Sequence, residues 1–182
     1  QYAPGCFVNA VGLTNPGAHS SLEAFSTLSI PDDRFLLTSI FGGNVEEFVE
    51  ISKILAPVSD GFELNLSCPH AEGYGMAMGQ DPELVAEIIS AIKANCKLPV
   101  IAKLTPNTSD IKTIARAAEQ AGVDGFCAIN TVGPGYASAF GHPLLSNTEG
   151  GISGKGILPI ALKCIREIRE ISDLPIIGCG GF

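Results

Sequence analysis

A cysteine, Cys68, follows the apolar stretch FELNLS at residues 62–67 and precedes Pro69. A thiolate in an accessible loop can act as a general base toward a carbon acid. A buried thiol in a turn produces the same local pattern, because a free cysteine packs as a small hydrophobe. The residue types alone therefore leave two interpretations of Cys68, a catalytic acid or base and a packed thiol.

A lysine, Lys103, lies inside a second apolar stretch, VIAKLTP, at residues 100–106. Burial of an unpaired charge is costly, so an inward-pointing lysine must contact an anion or an electron-rich ring. The alternative is a lysine of an edge strand that reaches solvent. Apolar residues on both sides of Lys103 favour the inward orientation, since strands of this kind are usually covered on both faces.

Three asparagines and a threonine lie at or near the ends of predicted strands, namely Asn9, Asn65, Asn130 and Thr131. An asparagine amide matches the paired C=O and N–H of an amide or imide edge. One such residue is usually a turn former. Two at strand ends, Asn65 and Asn130, favour a ring ligand that carries amide edges.

Two glycine-rich stretches, EGGISGKG at 149–156 and GCGG at 178–181, suggest a phosphate site. The first precedes a predicted helix, and backbone N–H groups beside the positive end of a helix bind phosphate well. In parallel barrels a phosphate commonly binds in the loops after the last two strands. Each stretch alone is a weak signal, but the pair indicates a phosphorylated cofactor.

Apolar strand-like stretches alternate with amphipathic helices from residue 35 onward, which predicts an α/β fold with a parallel sheet. The predicted strands cover 35–41, 61–67, 98–104, 124–130 and 174–181. Asp81 and Pro82 mark the start of one helix, and Gly122 marks the end of another. Residues 1–17 are expected to be irregular.

The polar candidates cluster just after the strands, at the edge of the sheet that carries the ligand in both barrels and doubly wound folds. Right-handed crossovers leave both architectures open. Five strands do not close an eight-stranded barrel, so a barrel would lack about three βα units.

Composition limits the class of protein. The chain has 182 residues, 46% hydrophobic and 16% charged, which predicts one domain over 1–182. The net charge of −8, without a lysine or arginine run, argues against nucleic acid and anionic membranes as partners. No apolar run approaches the roughly 20 residues of a membrane span.

Six scattered cysteines without a C-x-x-C pair indicate no metal site and fit the reducing cytoplasm. The sequence does not begin with methionine and stops within the motif GCGGF, so we expect it to be part of a longer protein.

Together these motifs resemble the dihydroorotate dehydrogenase family, whose members are FMN-dependent (β/α)8 TIM barrels of pyrimidine biosynthesis. The resemblance follows family order over essentially the whole chain and rests on NAVGLTNPG (9–17), ELNLSCPH (63–70), GMAMGQDPE (75–83), AKLTPN (102–107), INTVGPG (129–135), GGISGKGILPIAL (150–162) and PIIGCGG (175–181). It is nearest to the branch that uses cysteine as the base. The implied fold is an incomplete TIM barrel of about five βα units.

The resemblance implies oxidation of dihydroorotate to orotate with hydride transfer to FMN, and Cys68 would remove the C5 proton. The residues implied to hold the pyrimidine ring are Asn9, Val11, Gly12, Leu13, Asn65, Asn130 and Thr131. Those implied to contact the flavin are Ser39, Asn65, Lys103 and Ile129. Those implied to seat its phosphate are Gly154, Gly180 and Gly181.

The resemblance also implies partners. Members of this branch often pair with an iron–sulfur/FAD electron-transfer subunit, and the full-length protein would be a cytoplasmic homodimer or heterotetramer. The electron acceptor stays open among NAD through such a subunit, fumarate and a quinone. A quinone fits least, because quinone-linked members normally have serine as the base.

Two positions depart from the family pattern. His70 stands where the family usually has a second asparagine. Dihydropyrimidine dehydrogenase resembles this chain in having a histidine at that position. That enzyme, however, has its catalytic cysteine at the position of Met78, and a thioether cannot act as acid or base. A lysine of an early strand in the family has no counterpart here, so the segment by itself is expected to bind FMN poorly.

Two alternatives to dihydroorotate oxidation therefore remain. One is a dihydropyrimidine dehydrogenase-like reduction of uracil or thymine. The other is a non-catalytic barrel fragment that binds a phosphate or nucleotide.

Overall fold

A computed structural model describes residues 1–67 and 78–182 of the chain, and these form ten strands and five α-helices. The strands are β1 (Cys6–Asn9), β2 (Leu37–Ile40), β3 (Gly61–Asn65), β4 (Val100–Leu104), β5 (Gly125–Ala128), β6 (Val132–Tyr136), β7 (Ser138–Ala139), β8 (His142–Pro143), β9 (Glu149–Gly154) and β10 (Ile176–Gly178). The helices are α1 (Ala18–Ser26), α2 (Val45–Leu55), α3 (Pro82–Asn95), α4 (Ile111–Gln120) and α5 (Leu158–Arg169). Short 3₁₀ helices cover Ala56–Val58, Met78–Gln80 and Lys155–Ile157.

The main sheet contains five parallel strands in the order β10-β5-β4-β3-β2. Each strand lies beside the one that precedes it in the βα repeat, without a reversal of direction across the sheet. A doubly wound fold requires such a reversal, because its two halves run outward from a central switch point. The strand order is therefore that of a barrel.

The two faces of the sheet differ in burial. In β4, Val100, Ala102 and Leu104 are buried, whereas Ile101 and Lys103 are partly exposed. This alternation follows from the two-residue period of a strand. The buried face packs on the helices and forms the core with the apolar faces of α2 to α5. The opposite face carries the polar candidates.

Local sequence signals set the helix ends as predicted. Helix α3 begins with Asp81, whose side chain accepts from the backbone N–H of Glu83 at 2.9 Å and of Leu84 at 3.2 Å, and Pro82 is its first residue. Beyond α4, Gly122 adopts a φ of 92°, a conformation that disfavours residues with a Cβ.

The expectation that residues 1–17 are irregular is wrong for β1. This strand pairs antiparallel with β9, and β9 pairs antiparallel with β6, giving a second sheet in the order β1-β9-β6. The stretch EGGISGKG, expected as a loop before a helix, thus supplies a strand over Glu149–Gly154. A four-residue strand whose partner lies some 145 positions away leaves little local pattern to recognise.

No helix within residues 1–67 and 78–182 is long and apolar enough to cross a membrane. The cysteines in these two ranges are free thiols: Cys6, Cys96, Cys127, Cys164 and Cys179.

Candidate functional site

Three predicted site residues meet at the carboxyl ends of adjacent strands. Asn65 closes β3 and lies opposite Lys103 of β4 in the strand register. Asn130 follows β5, and its backbone N–H donates to the carbonyl oxygen of Leu104 at 2.9 Å. Parallel strands end at the same edge, so the sheet brings residues from three separate βα units into one cluster.

The two asparagines are hydrogen-bonded to each other. Nδ2 of Asn130 donates to Oδ1 of Asn65 at 2.9 Å, and Oδ1 of Asn130 accepts from the backbone N–H of Thr131 at 2.8 Å. Oδ1 of Asn65 also accepts from the backbone N–H of Ser67 at 3.3 Å. Both bonds within the described residues use the oxygen of Asn65, and an asparagine Nδ2 can donate to a carbonyl oxygen of a ligand.

Lys103 forms an ion pair with Glu63, which sequence reasoning did not single out. Nζ of Lys103 lies 3.3 Å from Oε1 of Glu63, and the side chains are 23% and 12% exposed. The hydroxyl of Ser39 donates to the same oxygen at 2.9 Å. Burial has the largest single effect and would lower the pKa of Lys103, but the Glu63 carboxylate, together with Cys127 and Cys179, raises it, and the pKa lies above its ordinary value. The lysine is therefore charged and has an anion beside it.

Cys127 lies next to this pair, opposite Lys103 in the register of β4 and β5. Burial raises the pKa of its thiol to about 12, with a further contribution from the Glu63 carboxylate. Cys127 is therefore a protonated thiol at neutral pH, and it lacks the thiolate that nucleophilic or basic chemistry requires.

The second sheet brings Asn9 and Thr131 against the same glycine, Gly151. Asn9 ends β1 opposite Gly151 of β9. A Cβ at Gly151 would lie 2.5 Å from Oγ1 of Thr131, so the threonine side chain rests directly on this glycine. The pairing of β1 with β9 thus places Asn9 near Thr131, two residues that sequence reasoning assigned to one ligand.

Val11, Gly12 and Leu13 lie in the turn after β1. The carbonyl oxygen of Val11 accepts from the Thr14 hydroxyl at 3.2 Å, and that of Leu13 accepts from the Asn15 amide at 2.9 Å. Val11 is 72% exposed. Among the residues that the structure describes, no hydrogen bond joins this turn to Asn65 or Asn130, so its predicted role in binding stays a prediction.

The three predicted phosphate-site glycines converge at the start of α5. A Cβ at Gly154 would overlap the carbonyl oxygen of Gly5, and one at Gly181 would lie 2.9 Å from the carbonyl oxygen of Gly154 and 3.0 Å from the backbone nitrogen of Leu158. Gly154, Gly180 and Gly181 have φ values of 88°, 113° and 90°. Side chains are excluded there, and this partly exposed backbone lies beside a helix N-terminus, an arrangement that is compatible with a bound phosphate.

Ile129 connects this cradle to the strand-end cluster. Its side chain is 2% exposed, and Cγ1 lies 3.3 Å from the position of a Cβ on Gly180. Its backbone N–H donates to the carbonyl oxygen of Cys179 at 2.7 Å. The residue directly before Asn130 thus contacts the glycines that follow β10.

Asn107 is a second residue that sequence reasoning missed. Its Nδ2 donates to the carbonyl oxygen of Thr131 at 3.1 Å, and its Oδ1 accepts from the backbone N–H of Gly133 at 2.9 Å. Its own carbonyl oxygen accepts from the amide of Gln80. Asn107 therefore holds the loop that carries Thr131.

Signals for both missed residues existed in the sequence. Glu63 is a carboxylate inside the apolar strand GFELN, two positions before Asn65 and so on the same face. Asn107 lies in a matched motif, AKLTPN, but after a proline, where an asparagine is usually a turn former.

Cys68 and His70 lie outside the described residues, as do the glycines at 73 and 75. The described chain resumes at Met78, whose side chain is 1% exposed and packs in the hydrophobic core. A thioether in that position is a packing group without acid or base chemistry.

Comparison with known proteins gives matches over the whole chain. The family model described as dihydroorotate dehydrogenase matches residues 1–182. The catalytic subunit of dihydroorotate dehydrogenase B (NAD(+)) from Pyrococcus horikoshii is 49% identical over 182 residues, covering 98% of this chain and 58% of that protein. The subunit of the same name from Methanocaldococcus jannaschii is 45% identical over 181 residues, covering 97% and 59%. The chain thus spans somewhat more than half the length of these curated relatives.

The fold is also that of a solved structure. The crystal structure of DHODH in complex with ferulenol from Eimeria tenella matches with a TM-score of 0.72 at 18% identity, over 97% of this chain and 56% of that chain. The five parallel strands and their helices are thus part of a (β/α)8 TIM barrel, which confirms the fold class predicted from the sequence. On the family model and the sequence identity of these relatives, the chain belongs to the dihydroorotate dehydrogenase family.

Proposed function

We propose that the protein containing this segment oxidises dihydroorotate to orotate in pyrimidine biosynthesis, with hydride transfer to FMN. The observation that carries this proposal is the hydrogen-bonded pair of Asn65 and Asn130 beside Lys103 at one strand edge, in a chain of the dihydroorotate dehydrogenase family. Amide groups are suited to the amide and imide edges of a dihydropyrimidine ring. Relatives that carry the name of dihydroorotate dehydrogenase catalytic subunits support the same activity.

FMN fits two parts of this chain. The glycine cradle of Gly154, Gly180 and Gly181 would take its phosphate, since the backbone there admits no Cβ. Lys103, with Ser39, Asn65 and Ile129, would contact the ring system. FMN supplies the hydride acceptor of the reaction, and a cation beside its ring stabilises the negative charge of the reduced form.

We assign removal of the substrate proton to Cys68. As a thiolate, Cys68 would remove the proton from C5 of dihydroorotate while hydride leaves C6. Asn9, Asn65, Asn130 and Thr131 would hold the ring so that C5 faces the thiol, with the backbone of Val11, Gly12 and Leu13 beside Asn9. The hydrogen bond between Asn65 and Asn130 supports this arrangement, because it orients both amides before the ring binds.

Reduction of uracil or thymine is the less favoured activity. It would need an acid at the position of Met78, which is instead a buried thioether. The names of the relatives also refer to dihydroorotate. Since these relatives are named catalytic subunits, a non-catalytic barrel is disfavoured as well.

The proposal includes a partner. The relatives are named catalytic subunits, which implies at least one other subunit in those proteins. We assign an iron–sulfur/FAD electron-transfer subunit to the partner role, within a homodimer or heterotetramer of the full-length chain. A cytoplasmic location completes the proposal and agrees with the free thiols of the described cysteines.

The experiment uses the full-length protein. Purified protein should show flavin absorbance, and dihydroorotate added in the absence of oxygen should bleach it. In a separate assay without dihydroorotate, the enzyme should not reduce uracil with NADPH. A colourless protein would contradict the proposed cofactor, and turnover of uracil would favour the alternative activity.

The base is tested separately with Cys68→Ser. Its flavin reduction by dihydroorotate should slow by about 10²- to 10⁴-fold at neutral pH, since a serine hydroxyl is a far weaker base. Cys6→Ser, which changes a partly exposed cysteine in β1, is the matched control and should reduce flavin at the wild-type rate. An unchanged rate in Cys68→Ser would remove Cys68 from the mechanism.

A further inference from the structure

We infer that Glu63 is a positioning residue that holds Lys103 in place and sets the net charge that the inner face of the sheet presents to FMN. The inference rests on the proposed function, because it concerns the flavin site of that same reaction.

Glu63 connects three neighbouring strands through one oxygen atom. Its Oε1 accepts from the Ser39 hydroxyl of β2 at 2.9 Å and faces Nζ of Lys103 of β4 at 3.3 Å. The residue as a whole is 9% exposed, so this oxygen lies largely away from solvent. Because Glu63 is two residues before Asn65, both side chains project from the same face of β3.

A glutamate in this position has no packing advantage of its own. Burial of a carboxylate is costly unless it is paired and hydrogen-bonded, and an apolar residue on this strand would avoid that cost. Glu63 meets both conditions, with a hydroxyl donor and an ammonium partner on a single oxygen. The arrangement therefore serves the charged groups around it more than the stability of the sheet.

The pair changes what Lys103 can do for a bound flavin. Lys103 and Glu63 together carry no net charge, whereas an unpaired lysine would present a full positive charge in a poorly screened interior. A cation beside the flavin favours the anionic reduced form, and a carboxylate behind that cation weakens the effect. Glu63 thus lowers the reduction potential that Lys103 alone would produce, and it limits the positions that Nζ can occupy.

The test measures the two-electron reduction potential of FMN in the full-length protein and in Glu63→Gln. Glutamine keeps the size and one acceptor oxygen, which can still accept from the Ser39 hydroxyl, and removes the charge. We expect the ratio of affinities for reduced over oxidised FMN to increase by at least about tenfold, a positive shift of about 30 mV for a two-electron couple. The double variant Glu63→Gln/Lys103→Met is neutral again, and its potential should return toward that of the wild type.

Two comparisons keep the outcome unambiguous. Glu50→Gln makes the same chemical change at an exposed position of α2, and its potential should equal that of the wild type. If Glu63→Gln does not fold, the comparison is between Lys103→Met, which retains the Glu63 carboxylate, and the double variant, which lacks it. The double variant should then have the higher reduction potential, because it has lost a negative charge. A merely structural Glu63 would change the melting temperature in these proteins but leave the potentials alike.

The results separate the two proposals. A wild-type protein that binds no FMN would contradict the proposed function itself. A wild-type protein that binds FMN and is reduced by dihydroorotate, with an unchanged or lower potential in Glu63→Gln, would overturn the role of Glu63 alone.

Discussion

The side-chain amide of Asn130 donates to Oδ1 of Asn65 at 2.9 Å, although 65 positions separate the two residues in the chain. This bond passes over β4 and joins the ends of β3 and β5. It fixes the orientation of both amides, because each oxygen accepts from a backbone N–H as well. A ligand that reaches this edge therefore meets donors and acceptors in set positions.

Asn130→Asp should disrupt this arrangement although the side chain keeps its size. It replaces the Nδ2 donor with an oxygen that faces Oδ1 of Asn65, so that two acceptors oppose each other. We expect a free energy of unfolding lower by about 1–3 kcal/mol. The KM for dihydroorotate should increase by about tenfold or more, which corresponds to the loss of about 1.4 kcal/mol. Steady-state kinetics and thermal unfolding measure both effects.

Asn147→Asp is the control for this change, since Asn147 is exposed and its Oδ1 accepts from the neighbouring Ser146 hydroxyl at 3.3 Å. It should leave KM and stability close to wild type. An Asn130→Asp protein with a wild-type KM would contradict the assignment of Asn130 to the substrate.

Asn107→Ala should loosen the loop that carries Thr131. The substitution leaves the Gly133 N–H and the Thr131 carbonyl without their partner, at a cost of about 1–3 kcal/mol in stability. We expect KM for dihydroorotate to increase while FMN affinity changes less, because the glycine cradle lies on other segments. Substrate titrations and fluorescence titrations with FMN distinguish the two.

For comparison, Asn44→Ala removes the N-cap of α2, where Asn44 accepts from the backbone N–H of Glu47. Its stability should decrease by about 1 kcal/mol without a change in KM. Equal KM values in the two variants would show that Asn107 has no part in substrate binding.

Gly154→Ala and Gly181→Ala should abolish the phosphate cradle. Each combines a positive φ with a Cβ that has no room beside neighbouring backbone atoms. Gly122→Ala is a matched control, because Gly122 has a φ of 92° but nothing within 4 Å of a Cβ.

The control should cost about 1 kcal/mol in stability from backbone strain alone. The two cradle variants should lose more, and FMN affinity should decrease in them and not in Gly122→Ala. Calorimetry of FMN binding checks this, and tight FMN binding by both cradle variants would refute the phosphate assignment.

Cys127 should resist alkylation in the native protein. Its pKa of about 12 lies far above neutral pH, so at about pH 8 only about one molecule in ten thousand carries the thiolate that reacts. The sign follows from the raised value, since reactivity appears only as pH increases toward 12. Mass spectrometry after iodoacetamide treatment should find Cys127 unmodified until the protein is denatured.

Cys6, which is partly exposed, serves as the internal comparison and should be modified before Cys127. Modification of Cys127 ahead of Cys6 would contradict the protonated state assigned to its thiol.

The sequence by itself determined the five strands of the main sheet and the helices α2 to α5, and it predicted candidate site residues at the ends of those strands. The alternation of strands and helices, the helix start at Asp81 and the turn at Gly122 all depend on local periodicity and on hydrogen bonds between near neighbours. Strand periodicity also placed Asn65 and Lys103 correctly, because residues that follow parallel strands must meet at one edge.

Only the tertiary structure decided the relationships between distant parts of the chain. Strand order distinguished a barrel from a doubly wound sheet, and the pairing of β1 with β9 revealed a strand where irregular chain was expected. Lys103 required an anion on physical grounds, yet its identity as Glu63, 40 positions away, depended on the register of β3 and β4. Contacts of this kind are set by how strands align in space, and that alignment is a property of the whole sheet.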